Sequence, residues 1–81
     1  MMNAGNFRMD TYIKAGPVTF GVIENIISDT IVVVLAKGSV LIQALENSVS
    51  MYPNLAGRYS AFSGIEFTWD CSQKPGERVL V

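Results

Sequence analysis

The residues able to do chemistry are few. Glu66 and Asp70 fall on one side of an alternating stretch, and paired carboxylates can divide acid and base roles. No histidine exists to join them and the single cysteine, Cys71, forms no pair with them. They read as solvated charges on an open strand surface. Phe67 and Trp69 could offer a stacking platform for bases, but they alternate with Ile65, which reads as core packing. Lys37-Gly38-Ser39 has the ending of a phosphate-binding loop without its upstream glycine, so it reads as a strand-to-helix turn. Arg8 stands beside Asp10 as a surface arginine would. Asn3 and Gly5 are turn formers on residue type alone. Without histidine there is no catalytic triad, no His-ligated metal and no imidazole acid or base. An enzyme acting alone is the least expected reading.

The elements that must position these residues fit in one small domain, since the chain has 81 residues. Apolar residues make up 49% and charged residues 16%, which excludes a disordered chain. Six Lys and Arg stand against seven Asp and Glu, for a net charge of −1. That balance gives no electrostatic reason to bind nucleic acid or an anionic membrane surface. The longest apolar run, Ile31 to Ala36, is far short of the roughly 20 residues of a membrane-spanning helix. Met1 to Asp10 has no long apolar core and is not a signal peptide. Cys71 reads as an inert thiol in a polar turn.

Met1 to Ile13 reads as a loop after a short strand stub, and Ala15-Gly16-Pro17 breaks the chain. Thr19 is placed to cap a short helix, because its hydroxyl can accept from an orphan backbone N–H. Phe20, Ile23 and Ile27, with Val22 and Ile26, give that helix an apolar stripe. Thr30 to Ala36 is a β-branched and aliphatic run without alternation, expected as a strand buried on both faces. Val40 to Met51 is expected as a second helix, capped by Ser39 or Gly38 and stopped before Pro53. Leu41, Leu45 and Val49 form its apolar face, and Glu46 reads as a surface residue. Asn54 to Gly64 is expected as a loop. Ile65 to Asp70 alternates as a half-buried strand. Pro75-Gly76 marks a turn, and Arg78 to Val81 begins another strand. The expected fold is α+β, in the order (β)-α-β-α-β-β, with two helices on a short mixed sheet.

Several segments together resemble one family. They are Asn3-Ala4-Gly5-Asn6-Phe7-Arg8, Gly16-Pro17-Val18-Thr19-Phe20-Gly21, and Ile31 to Leu35 running into Lys37-Gly38-Ser39-Val40-Leu41. Ala44-Leu45-Glu46-Asn47-Ser48-Val49, Gly57-Arg58-Tyr59, Ser63-Gly64-Ile65 and Lys74-Pro75-Gly76-Glu77-Arg78 follow. In this order they resemble the C-terminal, substrate-binding domain of the 5′-nucleotidase family. That family pairs the domain with an N-terminal calcineurin-like metallophosphoesterase domain.

The resemblance implies that Asn3, Gly5 and Arg8 are substrate-binding. Asn3 would contact the base or its surroundings, and Arg8 the ribose or phosphate side. The residue types suit those roles. An amide offers donor and acceptor to a base edge, a guanidinium forks onto oxygens, and a glycine allows close backbone approach. In the family an aromatic that stacks on the base follows the first helix; here Ile27 stands there. The family's later Asn-Gly-Gly-Asp-Gly segment has no counterpart before Val81. Residues 1–81 are thus expected to be a partial domain.

The resemblance implies a nucleoside or nucleotide ligand and a function in recognising it for a metal-dependent nucleotidase. No cofactor is expected in this chain; a divalent metal pair, such as Zn, Mn or Mg, would sit on the absent catalytic domain. The chain alone is expected to be inactive. Its partner would be the metallophosphoesterase domain, or a second copy through open strand edges. The family implies an extracellular, periplasmic or cell-surface setting. The alternative is a non-catalytic interaction module derived from the same domain.

Overall fold

A computed structural model of the chain describes residues 1–80, and Val81 lies outside them. The first helix forms where its cap allows. Thr19 is extended, and its Oγ1 accepts from the Val22 N–H at 3.4 Å. Helix α1 (Phe20–Ile26) follows and ends at Ile27, which returns to extended backbone. Only part of its apolar stripe is used. Val22, Ile26 and Ile27 are half-buried, whereas Phe20 is 76% exposed.

Helix α2 (Gly38–Val49) is the centre of the molecule. It starts earlier than the expected Val40. Lys37 is the N-cap, and no side chain caps the turn. The Lys37 carbonyl already accepts from Val40 and Leu41, so backbone closure replaces the expected Ser39 or Gly38 cap. Leu45 and Val49 are buried as the stripe requires.

The strands form two antiparallel ribbons. Strand β1 (Met2–Asn3) pairs with β2 (Ser60–Ala61), Met2 opposite Ala61 and Asn3 opposite Ser60. Strand β3 (Thr68–Trp69) pairs with β4 (Val79–Leu80), Thr68 opposite Leu80 and Trp69 opposite Val79. The Pro75-Gly76 turn between them needs Gly76, whose φ is +93°. The half-buried strand expected over Ile65–Asp70 is only Thr68–Trp69, because pairing with β4 covers just those two residues. The burial alternation extends further: Ile65, Phe67 and Trp69 are half-buried, and Glu66 and Thr68 are exposed. Phe67 packs on Phe62 with ring centroids 5.1 Å apart. Trp69 meets Tyr52 edge-on at 5.1 Å. These rings pack on each other, as the core reading expected.

The α+β class with two helices is the expected one. Its strands are arranged as two ribbons where one short mixed sheet was expected, and the Asn54 to Gly64 loop contains β2. The Thr30 to Ala36 run is not a strand. Val33 is 99% and Leu35 103% exposed. A run of valines fits a pleated surface, but a strand exists only where its edge is paired. Here no backbone group of residues 30–36 bonds to another among the described residues.

Both ribbons are fastened to α2 by side chains. The Ser60 N–H of β2 donates to Ser48 Oγ at 2.8 Å, in a buried bond. Glu46 takes the other ribbon. Its Oε1 accepts from the Val79 N–H at 2.6 Å and its Oε2 from the Arg78 N–H at 3.1 Å. Glu46 is therefore not the surface residue expected, because its carboxylate accepts from the N–H groups of Val79 in β4 and of Arg78 just before it. Arg78 is buried, and its Nη1 donates to the carbonyls of Val49, Ser50 and Tyr52. Those carbonyls belong to the last residue of α2, its C-cap and the turn beyond, and the Val49 carbonyl also accepts from the Tyr52 N–H at 3.3 Å. Arg78 Nε donates to the Gln73 carbonyl at 2.8 Å.

Candidate functional site

The candidate site is built on the β1–β2 ribbon. Past Asn3 the chain tightens into a 3₁₀ turn, Ala4–Asn6. That turn lies against the segment before β2. The Ala4 N–H donates to the Tyr59 carbonyl at 2.6 Å, and the Gly5 N–H to the Gly57 carbonyl at 2.9 Å. Asn3 Nδ2 donates to the same Gly57 carbonyl at 3.3 Å. The two glycines touch backbone to backbone: a Cβ on Gly57 would stand 3.3 Å from Gly5 Cα. Any larger residue at either position would push the turn outward.

A cleft of about 1110 Å³ opens beside this contact. Asn3, Asn6 and Phe7 line one part of it, and Ile27, Asp29, Asn47 and Arg58 also line it. Arg58 Nη1 donates to Asn47 Oδ1 and to Ser50 Oγ, both at 3.3 Å. Its remaining N–H groups point to no protein acceptor among the described residues. The cleft thus carries amides, one carboxylate and one guanidinium on a mostly apolar wall. That is the mixture of a site for a small polar ligand with a flat apolar part.

A second, more apolar cleft of about 680 Å³ lies next to it, and Gly57 lines both. Its wall includes Val49, Tyr52, Leu55, Tyr59 and Trp69.

The structure brings Asn3 and Gly5 together on one turn. Asn3 lines the first cleft and Gly5 the second. Arg8 lines neither. Its N–H donates to the Ile26 carbonyl at 3.0 Å, which ties this segment to the end of α1. The Arg8 side chain is exposed, and it makes no ion pair with Asp10 among the described residues. Ile27 does stand in the wall, at the end of α1. Sequence reasoning missed Phe7, Asn47 and Arg58 as wall residues. The segments of the resemblance, Asn3 to Arg8, Ala44 to Val49 and Gly57 to Tyr59, contain all three, but nothing in them singled these residues out.

Asp70 is not a free carboxylate. The Ser72 hydroxyl and the Ser72 backbone N–H donate to it at 2.7 and 2.9 Å, and Gln73 Nε2 at 3.4 Å. Those bonds, the Ser72 hydroxyl first, hold its pKa below the ordinary value. It closes a turn instead of pairing with Glu66. Cys71 is exposed in that turn, as expected. Among the described residues no three His, Cys, Asp or Glu side chains gather to hold a metal. No helix among them is long and apolar enough to cross a membrane.

Comparison with known proteins decides the family. The model of the 5′-nucleotidase C-terminal domain matches residues 1–80. The chain belongs to the 5′-nucleotidase C-terminal domain family. The trifunctional nucleotide phosphoesterase protein YfkN of Bacillus subtilis is 34% identical over 80 residues, 96% of this chain. A snake venom 5′-nucleotidase of Naja atra is 48% identical over 44 residues, 54% of this chain. Human 5′-nucleotidase is 43% identical over a stretch of the same length. This 5′-nucleotidase C-terminal domain chain spans only 5% of the length of the Bacillus protein and 8% of the other two. No solved structure matches it.

Proposed function

We propose that this chain recognises the nucleoside part of a nucleotide for a metal-dependent 5′-nucleotidase, which hydrolyses nucleotide phosphate esters. The observation that carries the reading is the family match, joined to the position of Asn3 in the wall of the polar cleft. The Asn3 amide gives one N–H to Gly57 and keeps its Oδ1 for a base edge. Gly5 has the bare backbone that lets the turn carrying Asn3 lie flat on Gly57. Arg8 follows Phe7, a residue of the wall, and its exposed guanidinium suits a ribose hydroxyl or a phosphate. Ile27 gives the base an apolar contact without a π-face. Phe7 supplies one in the same wall.

Hydrolysis belongs in this reading to a metallophosphoesterase domain outside these residues, which carries the divalent metal pair. Among the described residues no three His, Cys, Asp or Glu side chains gather to hold a metal, and this reading assigns them no metal step. Their work is to bind and orient the ligand.

Titration of the chain with adenosine, followed by amide chemical shifts, tests this. Saturable shifts at Asn3, Asn6, Phe7 and Arg8 are expected. In the longer enzyme, Arg8→Ala is expected to raise KM by about tenfold, the scale of one charge-assisted hydrogen bond. No shift up to tens of millimolar, with unchanged KM, would sink the reading.

A second reading is favoured by one observation. The exposed, unpaired run Ile31 to Leu35 suits a non-catalytic interaction module.

A further inference from the structure

The ribbon that carries Asn3 has two residue pairs, and a ribbon so short holds its own register weakly. A slip by one residue would turn Asn3 to the other face of β1. The pair of Asn3 with Ser60 adds no backbone bond of its own. The Ala4 N–H donates to the Tyr59 carbonyl, one residue outside that pair, so Asn3 and Ser60 form a non-hydrogen-bonded step of the ladder. The Ser60 N–H accordingly points away from β1. It points to α2, where Ser48 Oγ accepts it at 2.8 Å. Ser48 is 3% exposed and Ser60 4%. Further chain packed on these residues can only cover them more, so the bond needs nothing outside the chain.

We propose that Ser48 is a positioning residue of the polar cleft, fixing the register of β2 and so the place of Asn3 opposite α2. This role rests on the nucleoside reading above and adds to it the residue that sets its geometry. Asn47, the neighbour of Ser48, lines the cleft from α2, and Asn3 lines it from β1. A buried bond beside Asn47 therefore sets the gap between the two amides. Arg58 also ties this segment to Asn47 and Ser50, but through exposed bonds of 3.3 Å. Water competes for those. A buried N–H that loses its acceptor meets the full desolvation penalty. The Gly57 carbonyl, which receives Asn3 Nδ2 and the Gly5 N–H, moves with the segment that Ser60 anchors. Ser48 acts on the ligand through Asn3 and needs no contact with it.

Adenosine titration of the 81-residue chain and its variants, followed by amide chemical shifts, reads the role. Ser48→Ala is expected to weaken binding about tenfold, the scale of one buried hydrogen bond. Hydrogen exchange of the Ser60 amide should speed up with it. In an Asn3→Ala background the same change is expected to cost less than about twofold more, because the two residues act as one unit. Ser48→Thr keeps the hydroxyl, and the apolar cleft that Ser48 borders has room for the added methyl. Binding within about twofold of the unchanged chain is expected there. Ser48→Cys has nearly the size of serine but a weak acceptor, so it should fall close to the alanine variant. Cysteine binding better than threonine would assign the side chain to packing and overturn the proposal. Full binding by Ser48→Ala, or an equal loss with and without Asn3, would overturn it too. The threonine and cysteine pair decides the matter even where Ser48→Ala does not fold. An unchanged chain that binds no adenosine sinks the nucleoside reading itself, and the role of Ser48 with it.

Discussion

The Arg78 guanidinium lies 2.6 Å from the Val49 carbonyl oxygen, with Nη1 as donor. A residue from the far end of the chain thereby caps the central helix. Arg78→Ala should leave the Val49, Ser50 and Tyr52 carbonyls without that donor, at a cost of about 3 kcal/mol. Arg78→Lys should recover part of it, since an ammonium cannot reproduce the fork to Gln73. Urea unfolding of the three proteins measures both.

Glu46 holds β4 through backbone N–H groups. Glu46→Ala should cost about 2 kcal/mol by orphaning the N–H groups of Arg78 and Val79. Amide hydrogen exchange at those two positions should accelerate before exchange in the middle of α2 changes. Equal acceleration everywhere would contradict the local role.

Gly5→Ala should displace the turn that carries Asn3. The new Cβ would lie 3.2 Å from Asn3 Nδ2 and 3.4 Å from Gly57 Cα. A loss of about 1 kcal/mol is expected, with weaker adenosine binding. Gly21→Ala is the contrast. It sits in α1, where the nearest atom to a new Cβ is 3.9 Å away. A gain of up to about 1 kcal/mol is expected there. Thermal melts of the pair settle the sign of each.

Asp70 sets an acid-side dependence. Its folded-state pKa is lowered, first by the Ser72 hydroxyl, then by the Ser72 backbone N–H and Gln73. A lowered pKa adds stability that is fully present above the unfolded value of about 3.9. That stability is lost as pH falls through the lower folded value. Asp70→Asn should flatten the fall in melting temperature as pH drops below about 4. Identical pH profiles for the two proteins would refute this.

The local signals were legible in the sequence. Thr19 caps α1 because the cap is a bond to a residue three positions on. Ile65, Phe67 and Trp69 alternate in burial with Glu66 and Thr68 because a period of two is a local property of extended chain. Gly76 turns the chain because its conformation is its own. The pairings were not legible. Nothing in Ser60 or Ala61 announces that their partners are Asn3 and Met2. Glu46 and Arg78 look like surface charges until α2 and β4 are set side by side. The run at Ile31 to Leu35 has strand composition, but composition cannot supply a neighbour. Of the three residues singled out by the resemblance, Asn3 lines the polar cleft, Gly5 the neighbouring one and Arg8 neither. Phe7 joins the wall of the polar cleft through the pairing of β1 with β2, and Arg58 joins Asn47 through their side-chain bond.

The polar cleft draws its wall from the start of the chain, from the middle of α2 and from the residues before β2. Its parts are joined by a ribbon of only two residue pairs. The unfolded chain has no such cleft. Any molecule that fills it therefore acts by mass action on folding itself. At about a hundredfold excess over its Kd it would add about 2.7 kcal/mol to the folded state. Occupancy would clasp the ribbon, and the melting temperature would report it without any catalytic readout.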